Sequence, residues 1–179
     1  INRAWINEMI YEGAGIATIY PFPLYPGLEK FANSPAVKKL EAELQPGLYD
    51  PDQSAELMKA AGFTMNSDDL WEKDGKTVGA VINGFEGIHS DIVPILVEML
   101  RNGGIDADIN FGTDAYQNMA DGKAGLYMFG HGASLKDPYT ALELFHSRYS
   151  AAIGTTAGSN RFSRYALSLI HISEPTRHA

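Results

Sequence analysis

Gly130-His131-Gly132-Ala133-Ser134 gathers more potential chemistry than any other stretch of this 179-residue chain. Its two glycines let the main chain come close to a bound molecule or take positive φ. His131 can donate or accept through either ring nitrogen, and Ser134 adds a hydroxyl. Phe129, just before the loop, either stacks on a ligand face or fills a core. Phe85 and Glu86 stand at an equivalent place after an earlier apolar run. Three chemistries can be read into the loop. A dinucleotide fingerprint needs a third glycine for helix packing, but Leu135 holds that position, Pro138 starts the next helix late, and no acidic residue ends a following strand. A hydrolase using Ser134 and His131 lacks the G-x-S-x-G elbow, and a base three residues from its nucleophile in one loop is rarely oriented by a third group. A nucleotide-binding or hydrolytic α/β enzyme using Gly130–Ser134 is therefore the alternative reading. The main one is non-covalent capture of a solute by Phe85, Phe129, Gly130, His131, Gly132 and Ser134. Metal chemistry has no foothold: there is no cysteine, and His89, His131 and His146 form no HxxxH pair. No cofactor is expected.

The loop needs a scaffold, and the sequence supplies one from Thr77 onward. A strand Thr77–Asn83, a helix from Ser90 to Arg101 closed by Gly103, a strand Ile105–Phe111, a helix Asp114–Asp121 closed by Gly122 and a strand Ala124–Phe129 alternate with short connections. That order predicts a parallel α/β layer, with ligands at the carboxyl ends of its strands. The helix from Ser90 is apolar around much of its girth, so it should pack on the sheet, and Pro94 falls in its first turn, where no intrahelical partner is lost. Earlier in the chain, Ile1–Tyr11 reads as a helix. Tyr20–Tyr49, with five prolines, reads as a long ordered loop interrupted by a helix Pro35–Leu44 capped by Ser34. Asp50 and Pro51 open a further helix whose apolar stripe is Ala55, Leu57, Met58 and Ala61, ended by Gly62. Asp74-Gly75 predicts a hairpin turn between short extended segments. Trp5 and Trp71 read as structural, and Asp137 before Pro138 as a cap.

Lys and Arg total 14 against 22 Asp and Glu, a net charge of −8, which argues against a binder of nucleic-acid backbones. No apolar run reaches the roughly 18 residues of a membrane span. The 45% hydrophobic content is enough for one domain-sized core. The chain opens at Ile1 directly in a helical pattern, so the start reads as a cut edge at which an export signal would not show. At the other end, Leu167–Arg177 resembles the in-frame translation of a transposase-type sequencing-library adaptor. Residues 167–179 accordingly read as a non-native tail that takes no part in the fold.

The order of these features resembles a family. Ile1-Asn2-Arg3 on a helix, Tyr20-Pro21-Phe22-Pro23, Tyr49-Asp50-Pro51 leading to Ala60-Ala61-Gly62-Phe63, and Trp71–Lys76 are similar to the extracytoplasmic solute-binding proteins of family 5, the oligopeptide, dipeptide and nickel-type receptors of ABC importers. Leu96–Arg101 before Gly103-Gly104-Ile105, Asp137-Pro138-Tyr139 with Leu144–Ser147, and Asn160-Arg161-Phe162 with Tyr165 continue the likeness. The resemblance implies an α/β, periplasmic-binding-protein-like lobe of type II, incomplete, with residues 1–166 forming part of the second lobe of a receptor that closes on solute about a hinge. It implies a periplasmic or lipid-anchored monomer, not an enzyme, that passes solute to ABC permease subunits in the membrane and does not bind nucleic acid. Peptide-binding members carry a Trp followed three residues later by an Asp that pairs with the ligand's amino group. Here Phe129 takes the aromatic place and Gly132 the acidic one, so a charge-assisted bond of about 1.5–3 kcal/mol is missing. A neutral oligosaccharide then suits the loop at least as well as a peptide.

Overall fold

The computed structural model describes residues 1–130, 134–158 and 161–164. In chain order its elements are α1 (Arg3–Tyr11), α2 (Glu29–Ala32), α3 (Pro35–Leu44), α4 (Pro51–Ala60), β1 (Thr64–Met65), β2 (Trp71–Lys73), β3 (Lys76–Thr77), β4 (Gly79–Asn83), α5 (Ile92–Asn102), β5 (Asp106–Asn110), α6 (Ala115–Ala120), β6 (Leu126–Tyr127) and α7 (Tyr139–Leu142). The chain divides into two compact units: 1–19, 45–115 and 124–129 in the first, and 20–44, 116–123 and 130–179 in the second.

The first unit is built on a parallel sheet of order β5-β4-β6. β4 and β5 pair from Gly79 with Asp106 to Asn83 with Asn110, and β6 joins the other side of β4 at Ile82–Leu126 and Asn83–Tyr127. α5 covers the sheet. Val93 and Val97, one helical turn apart, are buried against Ile82 and Ala107, with Leu96, Leu100, Ile105, Ile109, Phe111 and Met128 closing around them. Full burial of an aliphatic side chain contributes about 1.5–3 kcal/mol, so this seam is the main adhesive of the unit. Arg101 turns back to donate its Nε–H to the Ala107 carbonyl at 2.8 Å, and Gly103 ends the helix.

The predicted strand Thr77–Asn83 is in fact shared between two sheets. Lys76–Thr77 pairs antiparallel with Trp71–Lys73, whereas Gly79–Asn83 runs in the parallel sheet. Val78 is the transfer point: its N–H donates to Trp71 O at 2.8 Å and its carbonyl accepts from Asp106 N at 2.9 Å. The hairpin turn is as expected, with positive φ at both Asp74 and Gly75, the type I′ signature. β1 adds a third strand to it. The predicted strand Ala124–Phe129 contracts to Leu126–Tyr127, although Met128 N–H still donates to Asn83 O at 2.8 Å.

Local capping follows the sequence closely. Asp50 accepts from Gln53 N–H at 2.8 Å with Pro51 at the helix start. α4 ends in a Schellman motif, Phe63 N–H to Met58 O and Gly62 N–H to Lys59 O, with Gly62 at φ +85°. Its expected apolar stripe is not buried: no α4 residue lies in a core among the described residues, and Leu57 is 65% exposed. An amphipathic pattern marks the face a helix could bury, and here that face is covered only in part, with Ala55 and Met58 half-buried and Leu57 exposed.

In the second unit the proline-rich segment is ordered around a small core of Phe22, Leu28, Ala32 and Ala141, with Tyr20 stacked on Phe22 at 5.5 Å. Ser34 caps α3, as its sequence position predicts. α2 is an additional short helix within the predicted loop. Two largely buried carboxylates tie other parts of this unit. Asp121 accepts from Gln117, Thr156 and Lys123, and Glu143 accepts from Arg148 and Arg161. The Thr156 hydroxyl, chiefly, holds the Asp121 carboxyl below its ordinary value of 3.8, and the Arg161 bond holds Glu143 below 4.5. Folding therefore favours both ionised forms. Their stabilising contribution is complete above about pH 4.5 and is lost as the pH falls through the lowered values. The second unit is expected to melt at progressively lower temperature between pH 5 and pH 3, and Asp121→Asn should flatten that slope. An unchanged slope in the variant would remove Asp121 from the explanation.

Candidate functional site

The carboxyl ends of β4, β5 and β6 meet at one edge of the first unit. β4 and β5 both end in Ile-Asn, and the register sets Asn83 opposite Asn110. Asn110 Nδ2 donates to Asn83 Oδ1 at 2.9 Å and reaches Asp114 Oδ1 at 3.2 Å, while Asn110 Oδ1 accepts from Gly112 N–H at 2.8 Å. Asn83 Nδ2 donates across to Leu126 O of β6 at 3.3 Å. Asn83 is 3% exposed, so its amide belongs to the scaffold: a buried amide with donors and acceptors matched fixes the ends of neighbouring strands relative to each other. At Gly112 a Cβ would lie 2.8 Å from Asp114 Oδ1 and 2.9 Å from Asn110 Oδ1, so a side chain would push this turn apart.

Phe85 follows β4 and Phe129 follows β6. Their rings meet edge to face, 5.8 Å between centroids, both half-buried. Edge-to-face aromatic pairs are favoured by about 0.5–1.5 kcal/mol beyond the area they bury. His89 sits beneath Phe85, 8% exposed, and burial pulls its imidazole below the ordinary value of 6.5. Burial therefore favours its neutral form. Its Nδ1 accepts from Phe85 N–H at 3.1 Å.

Of the residues expected from sequence, the fold brings Phe85 and Phe129 together. Gly130 is exposed and opens the second unit. His131 and Gly132 lie outside the described residues. Ser134, also in the second unit, builds a turn: its Oγ accepts from Lys136 and Asp137 N–H and donates to Asp137 Oδ2, and Asp137 Oδ1 in turn receives Tyr139 N–H at 3.0 Å at the start of α7. Asp137 thus binds the first N–H of α7 as a capping carboxylate would, although Pro138 stands at the N-cap position and not at the first helical position its place in the sequence predicts. Sequence reasoning passed over Asn83, Asn110 and His89. The repeated Ile-Asn at the ends of successive strands was a usable sign of the first two.

The same strand ends thus carry a linked pair of amides and, two residues further on, a pair of aromatic rings. Among the described residues no group of three or more His, Asp or Glu could hold a metal ion, and no helix is long and apolar enough to cross a membrane.

Comparison with known proteins agrees with this architecture. The family model of bacterial extracellular solute-binding proteins, family 5 middle, matches residues 1–152. Comparison with curated proteins returns no match. Among solved structures, NikZ from Campylobacter jejuni, crystallised in complex with Ni(L-His), superposes with a TM-score of 0.53 at 24% identity over 65% of this chain. That likeness is one of fold, and it agrees with the expected type II periplasmic-binding-protein-like α/β lobe. The chain spans 23% of the length of NikZ.

Proposed function

We propose, from the premise that this chain belongs to family 5 of the bacterial extracellular solute-binding proteins, that its first unit supplies one wall of a solute-binding cleft. In this reading the protein is a monomeric extracytoplasmic receptor, periplasmic or lipid-anchored, that captures solute without reacting with it and passes it to the permease of an ABC importer. Residues 1–166 belong to its second lobe, and residues 167–179 are derived from a sequencing adaptor.

The observation that carries the reading is the Phe85–Phe129 pair, which follows strand ends linked through the amides of Asn83 and Asn110. Flat aromatic surface complements the apolar face of a sugar ring or a peptide plane, and no cationic side chain stands in the pair to demand an anion. With Gly132 in place of the acid that peptide-binding relatives are expected to use, an oligosaccharide or a peptide held along its backbone fits better than a peptide gripped by its amino terminus. On their residue types alone, Gly130, His131, Gly132 and Ser134 are further proposed contacts.

The test is calorimetric titration of the complete receptor with trialanine and maltotriose, as peptide and sugar probes. Phe129→Ala and Phe85→Ala are each expected to weaken the binding probe about 10- to 30-fold, or ~1.4–2 kcal/mol. Binding should raise the melting temperature without consumption of the probe. Parental affinity in both variants would remove the aromatic wall, and steady turnover of a bound ester or nucleotide would favour the enzyme reading.

A further inference from the structure

We infer that His89 is the positioning residue of the aromatic wall, its neutral imidazole fixing the backbone of Phe85 and so aiming that ring at Phe129. The inference rests on the proposed solute-binding role of Phe85 for its functional meaning, and on geometry for everything else.

Phe85 lies in a connection, beyond the last residue of β4, where no strand neighbour supplies an acceptor for its N–H. Glu86, Gly87 and Ile88 are exposed, and Gly87 takes φ +83°, so the segment has little packing of its own. His89 closes it from both sides. Its N–H donates to Phe85 O at 3.0 Å, and its Nδ1 accepts from Phe85 N–H at 3.1 Å, so both main-chain polar groups of Phe85 are held by one residue. The imidazole also lies 5.7 Å from the Phe85 ring at a 37° tilt, so it buttresses the side chain as well as the backbone. His89 is itself anchored: its carbonyl accepts from Val93 N–H at 3.0 Å, and Val93 is fully buried in the α5 seam.

The space for the imidazole is created by Gly84. A Cβ there would lie 3.3 Å from His89 Nδ1 and 2.9 Å from Phe111 Cε1, so any side chain at 84 would press on the ring or on its neighbour. Only 8% exposed, His89 presents too little surface to be a solute contact. Its influence on binding must pass through Phe85. Neutrality is part of the design: a protonated Nδ1 would set a second donor against the Phe85 N–H, and burial opposes that proton.

Two substitutions separate this role from simple packing. His89→Asn places an amide oxygen near the position of Nδ1, while His89→Leu keeps bulk and removes the acceptor. In the complete receptor, hydrogen exchange followed by mass spectrometry on peptides spanning residues 84–90 is expected to show parental protection in His89→Asn and at least tenfold faster exchange in His89→Leu. For whichever of trialanine and maltotriose binds, His89→Leu should weaken affinity about tenfold and His89→Asn should restore it to within threefold of the parent. Parental protection of residues 84–90 in His89→Leu overturns the inference. Should His89→Leu loosen α5 as well, His89→Asn decides alone: kept protection supports the role, and tenfold faster exchange refutes it. The exchange measurement needs no solute. If Phe85→Ala leaves both probes unaffected, the binding-wall reading falls while the positioning of Phe85 by His89 is still judged by exchange.

Discussion

Trp71→Ala is expected to destabilise the first unit by about 3–5 kcal/mol, the range typical of deleting a buried Trp or Phe side chain. Trp71 is 3% exposed, at the start of the middle strand of the hairpin sheet. Its indole Nε1–H donates to Gly103 O at 2.8 Å, a carbonyl that α5 leaves unpaired at its end, and its backbone N–H donates to Gly104 O at 2.8 Å. Gly104 takes φ +81°, and a Cβ on it would lie 2.8 Å from the indole Cδ1, so the ring lies flush against the turn between α5 and β5. Trp71 O meanwhile receives Val78 N–H, the residue that leads the chain into the parallel sheet. One side chain therefore ties the hairpin to the helix that covers the sheet. Trp71→Phe keeps most of the buried area and loses the N–H, for an expected cost of about 1–2 kcal/mol. Urea unfolding of the two variants checks both values; a loss below 1 kcal/mol in Trp71→Ala would mean that the hairpin is attached by other contacts.

How far the sequence could be read depended on the range of the interaction. Caps and turns are decided within a few residues, and Ser34-Pro35, Asp50-Pro51 and Asp74-Gly75 each form the structure their chemistry demands. The parallel layer was readable too, because strands and helices alternate from Thr77 with connections too short for another arrangement. Asn83 and Asn110 are 27 positions apart, and their pairing is a matter of strand register, which alternation alone does not specify. Val78 passes the chain from one sheet to another, so one predicted strand becomes two, because hydrogen-bond partners and not hydrophobicity define where a strand ends. By type and spacing His89 is only one of too few histidines for a metal; its real partners are a backbone N–H and an aromatic ring in its own loop. The loop Gly130–Ser134 drew attention for its residue types, yet Ser134 spends its hydroxyl on the turn before α7. Arg161 and Phe162, which carry part of the family likeness, have local work in the second unit: Phe162 is buried edge-on against Tyr116 at 5.7 Å, and Arg161 pairs with Glu143 while lying 4.2 Å over Tyr149.

Arg164, to which nothing in the sequence drew attention, should give the largest loss in the second unit. Its guanidinium is the hub of the segment 150–157. Nη1 donates to Ala151 O and Ala152 O, each at 2.7 Å, and Nη2 to Thr155 O at 2.8 Å and to Ala120 O. Ser150 Oγ donates back to Arg164 O at 3.2 Å. The same segment is sewn to the end of α6 by Gly154 N–H to Asp121 O and Ala157 N–H to Ala120 O, both at 2.7 Å. Gly122, at φ +70°, permits the approach, since any Cβ there would collide with the guanidinium. The loop has few apolar contacts, so its carbonyls are gathered by one cation in place of a core. Hydrogen bonds from a charged donor contribute about 1.5–3 kcal/mol each, and because water can replace part of a set lying at the surface, Arg164→Met is expected to cost about 3 kcal/mol in total. Arg164→Lys should recover less than half of that, because a single ammonium cannot span carbonyls arranged around a planar fork. Thermal unfolding gives the magnitude, and limited proteolysis shows the location: cleavage should appear within 150–158 before any elsewhere in the unit. Full recovery of stability by lysine would mean that charge alone, without the fork, holds this segment together.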